Sequence, residues 1–116
     1  MLISRDFKFD AAHYLPSYNG KCERLHGHTY KLRVTLEGAV GKEGMVCDFA
    51  EIKRVVSEHV LGELDHGDLN KVLDVPSAEN IAVWVWEKLE GRFGEVKLYA
   101  IKVWETEGCS VKYMGK

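Results

Sequence analysis

Three histidines carry the first chemical signal: His13, then His26 and His28 one residue apart in CERLHGHTYKLRV. His13 shares the parity of Phe7, Phe9 and Ala11 in an alternating run, and His26 and His28 share that of Tyr30, Leu32 and Val34 in a second. On paired antiparallel strands all three imidazoles leave one apolar face, at the ends joined by the intervening loop. Three neutral imidazoles converging in a sheltered place suit a zinc site of the catalytic type, with three protein ligands and one open position. A lone histidine on an apolar face is usually a satisfied core residue. The third histidine on the matching face is what shifts the balance toward metal.

Other residues could act beside such a metal, and each has a plainer reading. Cys22 lies four residues before His26. It is a loop thiol, a nucleophile or base whose thiolate a nearby cation favours, or a fourth ligand closing a structural site. Asp65 and His66 are adjacent, as a solvated loop pair or as an acid that makes its imidazole a proton carrier. Glu105 is a surface charge at a strand end, or a carboxylate that meets a planar amidine edge with two parallel hydrogen bonds. His59 falls in a helix and reads as structural.

The elements that must position these groups follow from periodicity. Residues 2–13 and 26–37 alternate as two strands, joined by a loop with Pro16, Asn19 and Gly20. A helix begins after Asp48, with Glu51 completing a capping box and Phe49, Ile52, Val56 and Val60 as its apolar stripe, and ends near LDHGDLN. Ser77 caps a second helix running to about Leu89, with Ile81, Val85 and Leu89 on its buried face. Strands over roughly 95–106 and 110–114 follow, turning at Glu107-Gly108. The first of them is apolar on both parities, which a bulge near Ala100 explains. The order ββααββ predicts an α+β fold: a four-stranded antiparallel sheet with two helices on one face.

The 116 residues fit a single domain, 1–116, large enough to bury a core without disulfides or metal. A net charge of −2 gives no basic footprint and makes nucleic acid an improbable partner. Apolar runs stay well short of the ~20 residues of a membrane span. The start, MLISRDFKFD, lacks the apolar block of a signal peptide, and three cysteines without a CxxC give no disulfide framework. The expected location is the cytoplasm.

The segments FDAAHYLP, CERLHGHTYKLRV, VCDFAEIK, LDHGDLN, PSAENIAVWVW and VWETEGC, in this order, resemble the 6-pyruvoyl-tetrahydropterin synthase family, which includes the 6-carboxytetrahydropterin synthases. The resemblance implies the tunnelling fold, in which such subunits join into a barrel trimer and two trimers stack into a homohexamer. It implies Zn2+ on His13, His26 and His28, and Cys22 as the catalytic cysteine. It also implies Asp65 and His66 as an acid–imidazole pair supplied by a neighbouring subunit. Glu105 corresponds to the carboxylate that anchors the pterin, and Ser77 stands where the family often has a threonine near the pterin.

Two positions depart from the pattern: Glu23, where glycine often follows the cysteine, and Gly67, where a larger residue is common. Lys21 and Arg24 are candidates for the triphosphate. The gap in C-x3-HGH is shorter than the pyruvoyl-forming relatives tend to have. The expected reaction is therefore zinc-dependent conversion of 7,8-dihydroneopterin triphosphate to 6-carboxytetrahydropterin, with release of triphosphate and acetaldehyde. The alternatives are a pyruvoyl-forming synthase that loses triphosphate only, and a non-catalytic zinc- or pterin-binding domain. The resemblance leaves open whether the product serves tetrahydropterin or 7-deazaguanine nucleoside (queuosine) synthesis.

Overall fold

The computed structural model describes residues 1–16 and 24–116. Cys22, Lys21 and Glu23, with most of the loop between the first two strands, lie outside the described residues.

The two long alternating runs form strands β1 (Leu2–His13) and β2 (His26–Glu37), paired antiparallel with Phe7 opposite Leu32 and Phe9 opposite Tyr30. Helix α1 (Phe49–Val56) starts at Asp48, whose carboxylate accepts from Ala50 N. The helical path then widens into a π-helical turn, Ser57–Leu61, and tightens again as α2 (Gly62–Leu64). Strand β3 (Gly67–Asp68) and a 3-10 turn (Leu69–Lys71) lead to α3 (Ala78–Leu89), capped by Ser77 through its acceptance from Asn80 N. Strands β4 (Lys97–Thr106) and β5 (Cys109–Tyr113) close the chain as a hairpin.

Among the described residues the sheet has five strands in the order β3-β1-β2-β4-β5, not the four expected. It is mixed, because β3 runs parallel to β1 through Ala11–Gly67 and Ala12–Asp68. Two residues carry no readable period, so β3 leaves no trace in the alternation pattern. The chain is α+β, with α1 and α3 contributing to one core against the sheet. None of the helices of the described residues is long and apolar enough to cross a membrane.

The core confirms the parity on both long strands: Phe7, Phe9 and Ala11 are buried beside Tyr30, Leu32, Val34 and Leu36. Ile81, Val85 and Leu89 are buried as expected. On α1 the stripe needs one correction. Phe49, the first helical residue, is exposed, and Val55 is buried with Ile52 and Val56. Strand β4 carries the expected bulge. Thr35 faces Ala100 while Leu36 faces Leu98, so Tyr99 is the extra residue. The bulge lets Leu98 and Ile101, of opposite parity, oppose the inward Leu36 and Val34.

Candidate metal centre

The register that builds the hairpin also builds the site. His13, the last residue of β1, directly faces His26, the first residue of β2. His28 stands one inward position along, opposite the small Ala11. The three ring centroids lie 4.6, 5.1 and 4.7 Å apart, each pair edge-to-face. His13 is completely buried, although it is polar.

Backbone carbonyls settle the tautomers of two rings. His13 Nδ1 donates to the Pro76 carbonyl at 2.7 Å, and His26 Nδ1 donates to the Arg24 carbonyl at 2.6 Å. With both protons on Nδ1, each Nε2 presents a lone pair, and these two nitrogens face each other at 3.1 Å. Two lone pairs at that distance repel unless a metal ion, or a second proton on one ring, sits between them. Zn–N bonds of 2.0–2.1 Å at a tetrahedral angle put ligand nitrogens roughly 3.3 Å apart, close to the separation found. His28 Nε2 is buried and has no hydrogen-bond partner among the described residues. Desolvation, opposed by the charge of Glu105, pushes the His28 pKa down and favours the neutral ring that a ligand requires. The donor set therefore fits a divalent metal such as zinc.

Glu105 joins this group. Its Oε1 lies 3.4 Å from His28 Nε2, and one ligand atom from each of His13, His26, His28 and Glu105 falls within 4.8 Å of the others. The four residues could hold a metal ion. Sequence reading placed Glu105 at a strand end but not at the histidines. Here a second bulge matters, because Trp104 pairs with Ser110 and Thr106 with Cys109, leaving Glu105 as the extra residue. A bulge re-aims the side chain it carries.

Three supporting groups have no motif of their own. Asn80 Nδ2 donates to the Val75 carbonyl at 2.8 Å, steadying the loop whose next carbonyl holds His13. Asn70 grips Tyr14, the residue after His13, by accepting from its N–H at 2.9 Å and donating to its carbonyl at 3.0 Å. The Tyr30 ring stacks on Phe9 and meets His13 and His28 edge-on, while its hydroxyl is buried without a hydrogen-bond partner among the described residues. Burial, then the Glu105 charge, pushes its pKa far above the usual phenol value.

The remaining candidates sit elsewhere. Ser77 Oγ is engaged in capping α3, one residue from the Pro76 carbonyl that holds His13. Asp65 and His66 do form a pair, Oδ1 to Nδ1 at 3.1 Å, but they are not part of the histidine group. The pair is docked on β1: Asp65 Oδ1 accepts from Asp10 N at 3.0 Å, and His66 N donates to the Asp10 carbonyl at 2.6 Å. His66 adopts φ 59°, a left-handed conformation uncommon outside glycine, and its ring is 79% exposed.

Comparison with known proteins agrees with this architecture. The model of the family described as 6-pyruvoyl tetrahydropterin synthase matches residues 2–116. The chain is 46% identical to a dihydroneopterin monophosphate aldolase of Pyrococcus furiosus, over 90% of this chain and 89% of that one. It is 39% identical to a 6-carboxy-5,6,7,8-tetrahydropterin synthase of Synechocystis, over 97% and 92%. The solved structure of Caenorhabditis elegans 6-pyruvoyl tetrahydropterin synthase superposes with a TM-score of 0.88 at 32% identity, covering 100% of this chain and 96% of that chain.

Proposed function

We propose that the chain, which belongs to the 6-pyruvoyl tetrahydropterin synthase family and has relatives named for tetrahydropterin synthesis, is a zinc-dependent lyase. Its substrate is 7,8-dihydroneopterin triphosphate, and its products are 6-carboxytetrahydropterin, triphosphate and acetaldehyde. One observation carries this reading: His13 and His26 present Nε2 lone pairs to each other at 3.1 Å, with both Nδ1 protons held by backbone carbonyls. Such second partners orient imidazole ligands and raise their basicity.

His13, His26 and His28 hold the zinc, which when bound supplies Lewis acidity to the hydroxyls of the substrate side chain. Glu105 receives the pterin edge in two hydrogen bonds and so orients the side chain toward the histidines. Its place 3.4 Å from His28 supports this, since ring and metal must be neighbours. Ser77 lies beside the pterin. Cys22 thiolate removes a proton from the side chain, and His66, held by Asp65, returns or shuttles one.

The His66 ring is exposed and lies outside the group of possible metal ligands, although it lines one hollow with His28 of its own chain; the pair serves a neighbouring subunit. The assembly is a barrel trimer, doubled into a hexamer. The outer edge of β1 carries only two-residue β3, and β5 ends the sheet, so both edges call for cover. Residues 1–116 act as one domain in the cytoplasm.

The 46% identity to an aldolase of dihydroneopterin monophosphate favours a second reading, aldol cleavage of that monophosphate, in which the released aldehyde keeps the phosphate. Product analysis by mass spectrometry with each substrate tests both. Acetaldehyde and 6-carboxytetrahydropterin from the triphosphate are expected. A phosphorylated aldehyde from the monophosphate selects the aldolase. 6-Pyruvoyl-tetrahydropterin without acetaldehyde overturns the carboxy reading. A thiolate-to-metal charge-transfer band in the resting cobalt-substituted protein makes Cys22 a ligand and the site non-catalytic.

A further inference from the structure

The face of the sheet opposite the core carries an unusual rung of charge. Across β1, β2, β4 and β5 the directly opposed residues are Asp6, Arg33, Lys102 and Lys112. The next rung toward the histidine end is Lys8, Lys31, Trp104 and Ser110. Five cations thus stand on two adjacent rungs with one carboxylate. Asp6 is already engaged, gripping Arg33 through both oxygens at 2.7 and 3.0 Å and lying 3.4 Å from Lys31. Lys8, Lys102 and Lys112 have no ion-pair partner among the described residues.

Three like charges in a row, Arg33, Lys102 and Lys112, oppose one another directly, as do Lys8 and Lys31. Directly opposed like charges destabilise a sheet. The Trp104 indole offsets part of the cost, with Lys31, Lys102 and Arg33 at 4.5, 4.6 and 5.2 Å from its ring centroid. The cations also line two adjoining hollows. Lys8, Lys31 and Trp104 line one of about 420 Å³, together with the carboxylate-bearing Glu107. Arg33, Lys102 and Lys112 line one of about 230 Å³, with the hydroxyls of Ser4 and Thr35.

We propose that this face is a binding site for a short linear polyphosphate. The Arg33–Lys102–Lys112 row spans two strand spacings, about 10 Å, which places successive cations along a chain of phosphates rather than around one. Ser4 Oγ and Thr35 Oγ1 are hydrogen-bonded to each other at 2.7 Å, which leaves one of the two hydroxyls free to donate to the same oxygens. A nucleic acid fits less well, because the patch is only two rungs deep and is bounded by Asp6, Asp10 and Glu107. Since the cations and the histidines lie on opposite faces of the sheet, this site stands independently of the zinc reading.

Isothermal titration of the purified protein with inorganic triphosphate, inorganic phosphate and ATP tests the site. Triphosphate should bind at least ~10-fold more tightly than phosphate, and more weakly as salt rises. ATP separates a free chain from an esterified one, since binding of both assigns recognition to the phosphates and binding of triphosphate alone assigns it to the free anion. Lys102→Gln/Lys112→Gln should weaken triphosphate binding on the order of 10-fold, a few-fold for each surface charge contact removed. The exposed helical substitution Lys53→Gln should leave it unchanged. His26→Ala, which disables the proposed zinc site, should also keep triphosphate affinity, so failure of one reading is distinguishable from failure of the other. Relief of repulsion should leave the double variant melting no lower than the parent. Equal affinity for phosphate and triphosphate, undiminished binding by the double variant, or equally tight binding of a single-stranded oligonucleotide would each overturn the proposal.

Discussion

Tyr30→Phe should stabilise the metal-free protein. The Tyr30 side chain is completely buried, and its hydroxyl is one of two buried side-chain polar atoms left without a hydrogen bond among the described residues. An unpaired buried hydroxyl costs about 1–3 kcal/mol. The substitution removes only that oxygen, keeping the ring stacked on Phe9 at 4.9 Å and edge-on to His13 and His28. At the low end the gain is about 1 kcal/mol. Unfolding entropy near 2.1 cal/mol/K per residue amounts, for 116 residues, to about 0.24 kcal/mol/K, so Tm should rise by about 4 °C. The assay is calorimetry of chelator-treated parent and variant at one protein concentration. Zinc at about 100 times its Kd adds about 2.7 kcal/mol, or about 11 °C, and the variant should keep that increment because His13, His26 and His28 are untouched. A fall in Tm of several degrees for the metal-free variant would refute the reasoning, since it would mean the hydroxyl has a partner whose loss is felt.

Further outcomes are expected. His26→Ala or His28→Ala should empty the metal site while the rest of the core, from Phe7 and Leu32 to Leu36, keeps the chain folded; full zinc occupancy by metal analysis would sink the ligand assignment. Burial lowers the pKa of His28, so folding disfavours its protonated form. Metal-free stability should therefore be complete above about pH 6.5, the unfolded value, and decline as pH falls from there toward the lower folded value; melting curves between pH 5 and 8 check the sign, and His28→Ala should flatten the slope. Cys22→Ala should retain zinc but lose at least ~10²-fold in turnover, the low end for a positioned proton-transfer group. Mixing inactive Cys22→Ala and His66→Ala chains should restore some activity after subunit exchange, and silence from verified mixed oligomers would mean that each site is built from one chain.

The long strands were legible because a half-buried strand writes its two faces into alternate residues. Leu2–His13 and His26–Glu37 match the alternation end to end, and the three imidazoles follow from the same parity. Helix α3 was legible from Ser77 at its cap and the spacing of Ile81, Val85 and Leu89. Short or irregular features were not. A two-residue parallel strand has no period, and the π-helical turn Ser57–Leu61 keeps the composition of an ordinary helix. A bulge is one added residue, visible in β4 only because both parities there are apolar. Its second bulge, at Glu105, has no such marker.

Residue types and spacing, by themselves, determined that three histidines share one apolar face, because parity is a local property of an extended chain. Tertiary structure decided what those histidines are. It brought the Pro76 carbonyl from 63 residues away to fix the His13 tautomer, and Glu105 from a distant strand to within 3.4 Å of His28. It also kept His66 out of the group. It aligned Arg33, Lys102 and Lys112 from three strands into one charged row as well. Such contacts depend on register and on the loops between elements, and those are set by packing across the whole core rather than by any one segment.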